Sequence, residues 1–196
     1  TFLEQSMSAV CTISICACGL MGLPLVVSGY RERKILKRFR VTPISPVMLL
    51  GVEFTIYVLY ALVSMVLLFP IAALFWEVTL HGSWLAFIGS WLLTMVSTLS
   101  IGMMVGGIAK NEKMASVIAS ALYFPMLIFS GATLPFEVMP GVMQKIVSLF
   151  PLTQGIQLMK ATSLGQPVEH IWIPIVVMMA VTVICTGVAV KCFKWE

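Results

Sequence analysis

The chain has 196 residues, 60% of them hydrophobic and only 10% charged, with a mean hydropathy of +1.04; soluble domains carry roughly 25% charged residues, so an ordinary soluble domain is excluded. Twelve Lys and Arg stand against eight Glu and no Asp, a formal charge of +4. The cations sit at the ends of long apolar runs, so they are topological and do not mark a nucleic-acid surface.

A bilayer core of about 30 Å takes about 20 apolar helical residues, and five uncharged runs reach that length. The first gives a span over residues 6–30. Cys11, Cys16 and Cys18 lie inside it with no neighbouring His to complete a metal set, so they read as small packing residues. No basic flank precedes this run and four more spans follow, which excludes a cleaved signal peptide. Residues 31–40, RERKILKRFR, hold six cations and one Glu. Read as a helix, they place Ile35, Leu36 and Phe39 in a narrow apolar stripe on a broad cationic surface. Two readings stand side by side: a loop that binds lipid headgroups, or a docking element for a cytoplasmic partner. Pro43 and Pro46 end the segment and favour a rigid lever over a floppy tether.

The second span covers residues 47–75, with Ser45-Pro46 as its start signal and Glu53 read as interfacial. The third, over residues 83–109, follows the His81-Gly82 turn signal, and its Gly102 and Gly106 form a GxxxG pair that suits close helix packing. The fourth covers residues 114–136. Residues 130–167 are too polar to span and too apolar for a solvated loop. Pro140 starts a short helix there with Val142, Ile146, Leu149 and Phe150 on one face, before Pro151; a second runs from Leu152 to Leu164 with Gly165 as its cap. The segment, residues 137–166, reads as two helices dipping into the outer leaflet, or as an interfacial hairpin that only anchors. The fifth span covers residues 171–190.

The fold class is therefore an all-α integral membrane protein, since no run alternates like a barrel strand. Ten of the twelve cations fall in the first loop, in the third loop as Lys110 and Lys113, and in the tail as Lys191 and Lys194; Lys145 and Lys160 are the exceptions. The positive-inside rule then places those loops and the C-terminus in the cytoplasm. Five spans with an external N-terminus point to one upstream span missing from this sequence. No GxxxxGK loop is present to hold nucleotide, no HExxH, no GxSxG and no Ser, His and Asp set. Ionisable groups are nearly absent from the spans, which argues against a proton-coupled carrier and an intramembrane enzyme.

Three stretches, YRERKILKRFRVTPISPVMLLG, SGATLPFEVMPGVMQKIVSLFPLTQGIQLMKA and the closing KCFKWE, together with the five spans, resemble the permease subunit of type-2 ABC exporters, in the branch of daunorubicin- and linearmycin-resistance permeases. Family members often carry Gly-Thr where this chain has Lys34 and Ile35. The resemblance implies a six-span fold of which this chain holds spans two to six, in a bacterial plasma membrane. It implies a coupling helix at residues 31–40 that meets a separate ATP-binding subunit, with Arg31, Glu32, Arg33, Lys34, Lys37 and Arg38 as the contact residues. It also implies a re-entrant gate carrying Pro135, Pro140, Ile146, Phe150 and Pro151. A second permease half, like or unlike, completes the unit. The chain itself is expected to bind no cofactor, with ATP and Mg held by the partner, and the cargo is a hydrophobic or amphipathic small molecule. The alternatives are a membrane scaffold or channel without ATP coupling, which uses the basic loop for anionic lipids alone, and a permease for lipid-linked polysaccharide.

Overall fold

The computed structural model describes residues 2–35, 46–76, 82–130, 140–148, 150–165 and 172–192. Among them the chain is entirely helical, and five helices are long and apolar enough to cross a membrane. The first span is built from α1 (Phe2–Cys16), a π-helical stretch (Ala17–Gly22) and α2 (Leu23–Glu32). It is followed by α3 (Pro46–Trp76), α4 (Trp84–Ile108) and α5 (Glu112–Phe129), by the two short helices α6 (Gly141–Val147) and α7 (Pro151–Ser163), and by α8 (Trp172–Cys192).

Helix α4 is the axis of the bundle. Trp91, Phe87, Met95 and Leu99 are buried against Ile15, Leu23 and Val27 of the first span, Tyr57 and Ala61 of α3, and Met159 of α7. Lipid is as apolar as these side chains, so close packing and interhelical hydrogen bonds hold the helices together here. Gly102 and Gly106 supply the closeness. A Cβ on Gly102 would collide with the carbonyl oxygen of Gly19, and one on Gly106 would stand 2.8 Å from the Cβ of Val27.

The hydrogen bonds come from a row of hydroxyls on α4. Ser97 lies 2.9 Å from the Thr182 hydroxyl and donates to the Met178 carbonyl at 3.0 Å, and Thr186 donates to Ser100 at 3.3 Å. These bonds fasten α8 along the axis. Their neighbours Thr94 and Thr98 bond back to the carbonyl four residues earlier, which satisfies a hydroxyl within its own helix.

Three boundaries depart from the sequence expectation. Helix α5 starts at Glu112, because the Asn111 side chain caps it by accepting from the Met114 N–H at 2.7 Å; charge at a helix start does not prevent helix. It ends at Phe129, short of the expected 136, where Ser130 turns its hydroxyl back onto the Leu127 carbonyl. The expected helix over residues 31–40 does not begin at Arg31: Arg31 and Glu32 are the last turn of α2, and the chain turns at Arg33 and Lys34, where Lys34 takes a φ of +54°.

Candidate functional site

The basic end of the bundle is assembled from the sequence Arg31-Glu32-Arg33. All three side chains reach the connector between α4 and α5, about 80 residues away in sequence. Arg31 Nη1 donates to the Ala109 carbonyl at 3.0 Å. The backbone N–H of Glu112 donates to Glu32 Oε2 at 2.9 Å. Arg33 Nη2 pairs with Glu112 Oε1 at 3.3 Å. The first and last contacts satisfy groups at opposite ends of the connector. The middle one places a carboxylate on an N–H that α5 leaves without an intrahelical partner, where the helix dipole favours negative charge.

Gly29 makes room for the clasp, since a Cβ there would lie 2.5 Å from Glu112 Oε1. Beside it a cleft of about 300 Å³ is lined by Leu25, Val26, Tyr30 and Ile35 together with the Arg33–Glu112 pair. Arg33 and Glu112 remain 71% and 41% exposed, and Glu32, Lys34, Lys110 and Lys113 are exposed as well. Two connectors thus form one charged face. Lys37 and Arg38 lie outside the described residues.

One carboxylate lies deeper than the sequence reading placed it. Glu53, expected at the interface, is only 6% exposed. Leu50, Glu53, Tyr57 and Ala61 recur at helical spacing on the buried face of α3, and the Tyr30 hydroxyl donates to Glu53 Oε1. The reason is the approach of α3 to the first span: the Tyr57 ring fills the space over Gly22, where a Cβ would stand 2.7 Å from its Cε1.

The opposite end receives α7, which α6 precedes in sequence. Pro140 precedes α6, Pro151 is the first residue of α7, and Gly165, at φ +67°, follows it. Helix α7 is packed inside the bundle. Residues 151–156, with Leu158, Met159 and Ser163, are buried among α1, α4 and α8. Gly155 meets Thr94, the Thr162 hydroxyl lies 3.1 Å from that of Ser90, and the Gly82 N–H donates to the Ser163 carbonyl at 3.1 Å. Thr94 lies ten residues into α4, so α7 penetrates at least ~15 Å into the bundle. Its leading end, with Phe150 and Leu152, packs on Leu20, Ile101, Met126 and Cys185.

One expectation here changes. Ile146 is 57% exposed and Val147 only 1%, because the tight turn from Val147 to Phe150, whose N–H donates to the Val147 carbonyl at 3.0 Å, aims Val147 inward. Helix α7 also carries buried polar atoms: Thr153 Oγ1 and Gln154 Oε1 find no partner among the described residues. Pro135 lies outside the described residues.

Compared with known proteins, residues 3–191 match the family model described as ABC-2 family transporter protein. The chain is 31% identical over 86 residues to nodulation protein J of Rhizobium leguminosarum bv. viciae, covering 44% of this chain and 33% of that one. It is 33% identical over 79 residues to nodulation protein J of Neorhizobium galegae, covering 40% and 30%. It is 29% identical over 105 residues to the inner membrane transport permease YhhJ of Escherichia coli (strain K12), covering 53% and 28%. The chain thus spans about a third of the length of the curated relatives it matches.

Proposed function

The chain belongs to the ABC-2 family of transporter proteins, and on that premise we propose that it is the non-catalytic membrane subunit of an ATP-driven exporter in a bacterial inner membrane. Its basic end faces the cytoplasm and meets a separate ATP-binding subunit. A second permease half completes the pathway, whose cargo is a hydrophobic or amphipathic small molecule of the drug or antibiotic kind. Nucleotide and Mg belong to the partner; this chain transmits force and shapes the path.

The observation that carries this reading is the clasp of Arg31, Glu32 and Arg33 on the α4–α5 connector. A loop used only to attract anionic lipid needs charge but no fixed geometry. Here three consecutive side chains tie the end of the first span to the start of α5, so a push on residues 31–34 moves α2 and α5 together. At the far end α7 fills the bundle against α1, α4 and α8, and a shift of those helices loosens its seat. Pro140, Ile146, Phe150 and Pro151 then act as parts of the outer gate, and Gly102 with Gly106 keeps the first span and α4 in register while they move.

The test is the Arg31→Glu, Arg33→Glu double variant in the complete transporter. ATP-driven export of a fluorescent amphiphile should fall at least tenfold while the subunit stays in the membrane at its normal level. Unchanged export would refute the clasp as the point where force enters, and export without any ATP-binding partner would favour the channel reading.

A further inference from the structure

Helix α3 follows the basic segment directly in sequence, yet it is the most loosely held of the five spans. Val52, Leu59, Tyr60, Val63, Val66, Leu67, Ile71 and Leu74 are all exposed, and its inward contacts are apolar ones shared between the first span and α4, with Tyr57 and Ala61 in the core and Phe69 against Trp84. A polar contact is added by the hydrogen bond from Tyr30 to Glu53. Tyr30 immediately precedes Arg31, so the bond ties α3, two turns in from Pro46, to the end of α2 at the root of the clasp. A carboxylate buried in a membrane span is costly and is kept where it has a task. Among the described residues no basic side chain is bonded to Glu53, and the Tyr30 phenol is the donor that holds it.

We propose that Glu53 is a positioning residue of the transport cycle: by accepting from Tyr30 it fixes α3 to the end of α2, so that α3 follows the movement delivered at Arg31–Arg33. The proposal rests on the exporter reading above. Without the bond, α2 and α5 still move as a pair through the clasp, and α3 is left behind, held only by apolar contacts that slide at little cost in lipid. The role asks for an acceptor rather than a charge, since a phenol donates to an amide oxygen as well as to a carboxylate.

The experiment uses the complete transporter in nanodiscs, with hydrogen–deuterium exchange read with and without ATP plus vanadate. In the wild type, trapping should change exchange both at the end of α2 and in the first half of α3. In Tyr30→Phe and Glu53→Leu the change at α2 should persist while that in α3 falls roughly five- to tenfold, the scale of one net hydrogen bond. Glu53→Gln should restore it. A purely structural contact would raise exchange equally in both nucleotide states, so only the nucleotide-dependent difference counts. An undiminished α3 response in Glu53→Leu overturns the proposal, and so does Glu53→Gln behaving like Glu53→Leu. If the Arg31→Glu, Arg33→Glu variant keeps the full response at α2, the exporter coupling itself has failed, whatever Glu53 does.

Discussion

Lys34 shows how a single residue reconciles conflicting demands. The end of α2 closes with Arg33 N–H on the Gly29 carbonyl at 3.0 Å and Lys34 N–H on the Arg31 carbonyl at 3.1 Å, and the next step of the backbone is left-handed, φ +54°. Glycine takes that conformation without strain, whereas a residue with a Cβ pays about 1–2 kcal/mol for it. A lysine here keeps the turn and adds a cation to the exposed face. Lys34→Gly should therefore raise stability by about 1 kcal/mol, visible as a higher melting temperature of the detergent-solubilised protein, while the face loses one charge. The neighbouring Arg33–Glu112 pair behaves differently: it is exposed enough that its loss costs at most about 1 kcal/mol, so its value lies in fixing geometry. An unchanged or lowered melting temperature for Lys34→Gly would mean that the lysine side chain contributes more than its backbone costs.

Among elements, the seam between the first span and α4 sets the tolerance of the bundle. Gly102 faces the Gly19 carbonyl, a backbone atom that cannot step aside, while Gly89 on the same helix has nothing within 4 Å of a built Cβ. Gly102→Ala should cost about 1–3 kcal/mol through overpacking, and Gly89→Ala should be neutral or slightly stabilising, both checked by thermal unfolding monitored by size-exclusion chromatography. Equal effects would show that the close approach is not limiting. The same seam marks what the residues reveal in advance. Five spans are legible because cations stand at their ends, and α6 and α7 because Pro140, Pro151 and Gly165 punctuate them. The π-helical stretch Ala17–Gly22 is not: it lies where Gly19 admits α4 and Gly22 admits α3, and periodicity within one segment carries no trace of either partner. Helix α7 is polar in composition, with Thr153, Gln154 and Thr162, so it reads as an outer-leaflet helix. Its burial follows from hydroxyls on α4 that are equally invisible until the two meet. Glu53 and the clasp fail to show for the same reason, since their partners lie 23 and about 80 residues away.

At the scale of the whole molecule, the two ends of the bundle are built for different tasks, and α4 joins them. One end exposes Glu32, Arg33, Lys34, Lys110 and Lys113 around a bonded pair of connectors; the other is filled by α7, whose buried helix meets Ser90 and Thr94 in the first half of α4. Force applied at the first end reaches the second through a helix of 25 residues, about 37 Å long and held to α8 by the Ser97–Thr182 and Ser100–Thr186 contacts. That route works only if the charged face is on the side where ATP is available, so orientation is the strictest demand the exporter reading makes. The distribution of cations predicts it. Ser83 and Lys113 flank the two ends of the α4 and α5 pair and are both exposed. In a Cys192→Ser background, which removes the exposed native thiol, a membrane-impermeant maleimide applied to intact cells with a permeabilised outer membrane should label Ser83→Cys. Lys113→Cys should react only after the inner membrane is opened. Labelling of Lys113→Cys from outside would place the clasp on the wrong face and remove the route by which an ATP-binding subunit could drive the chain.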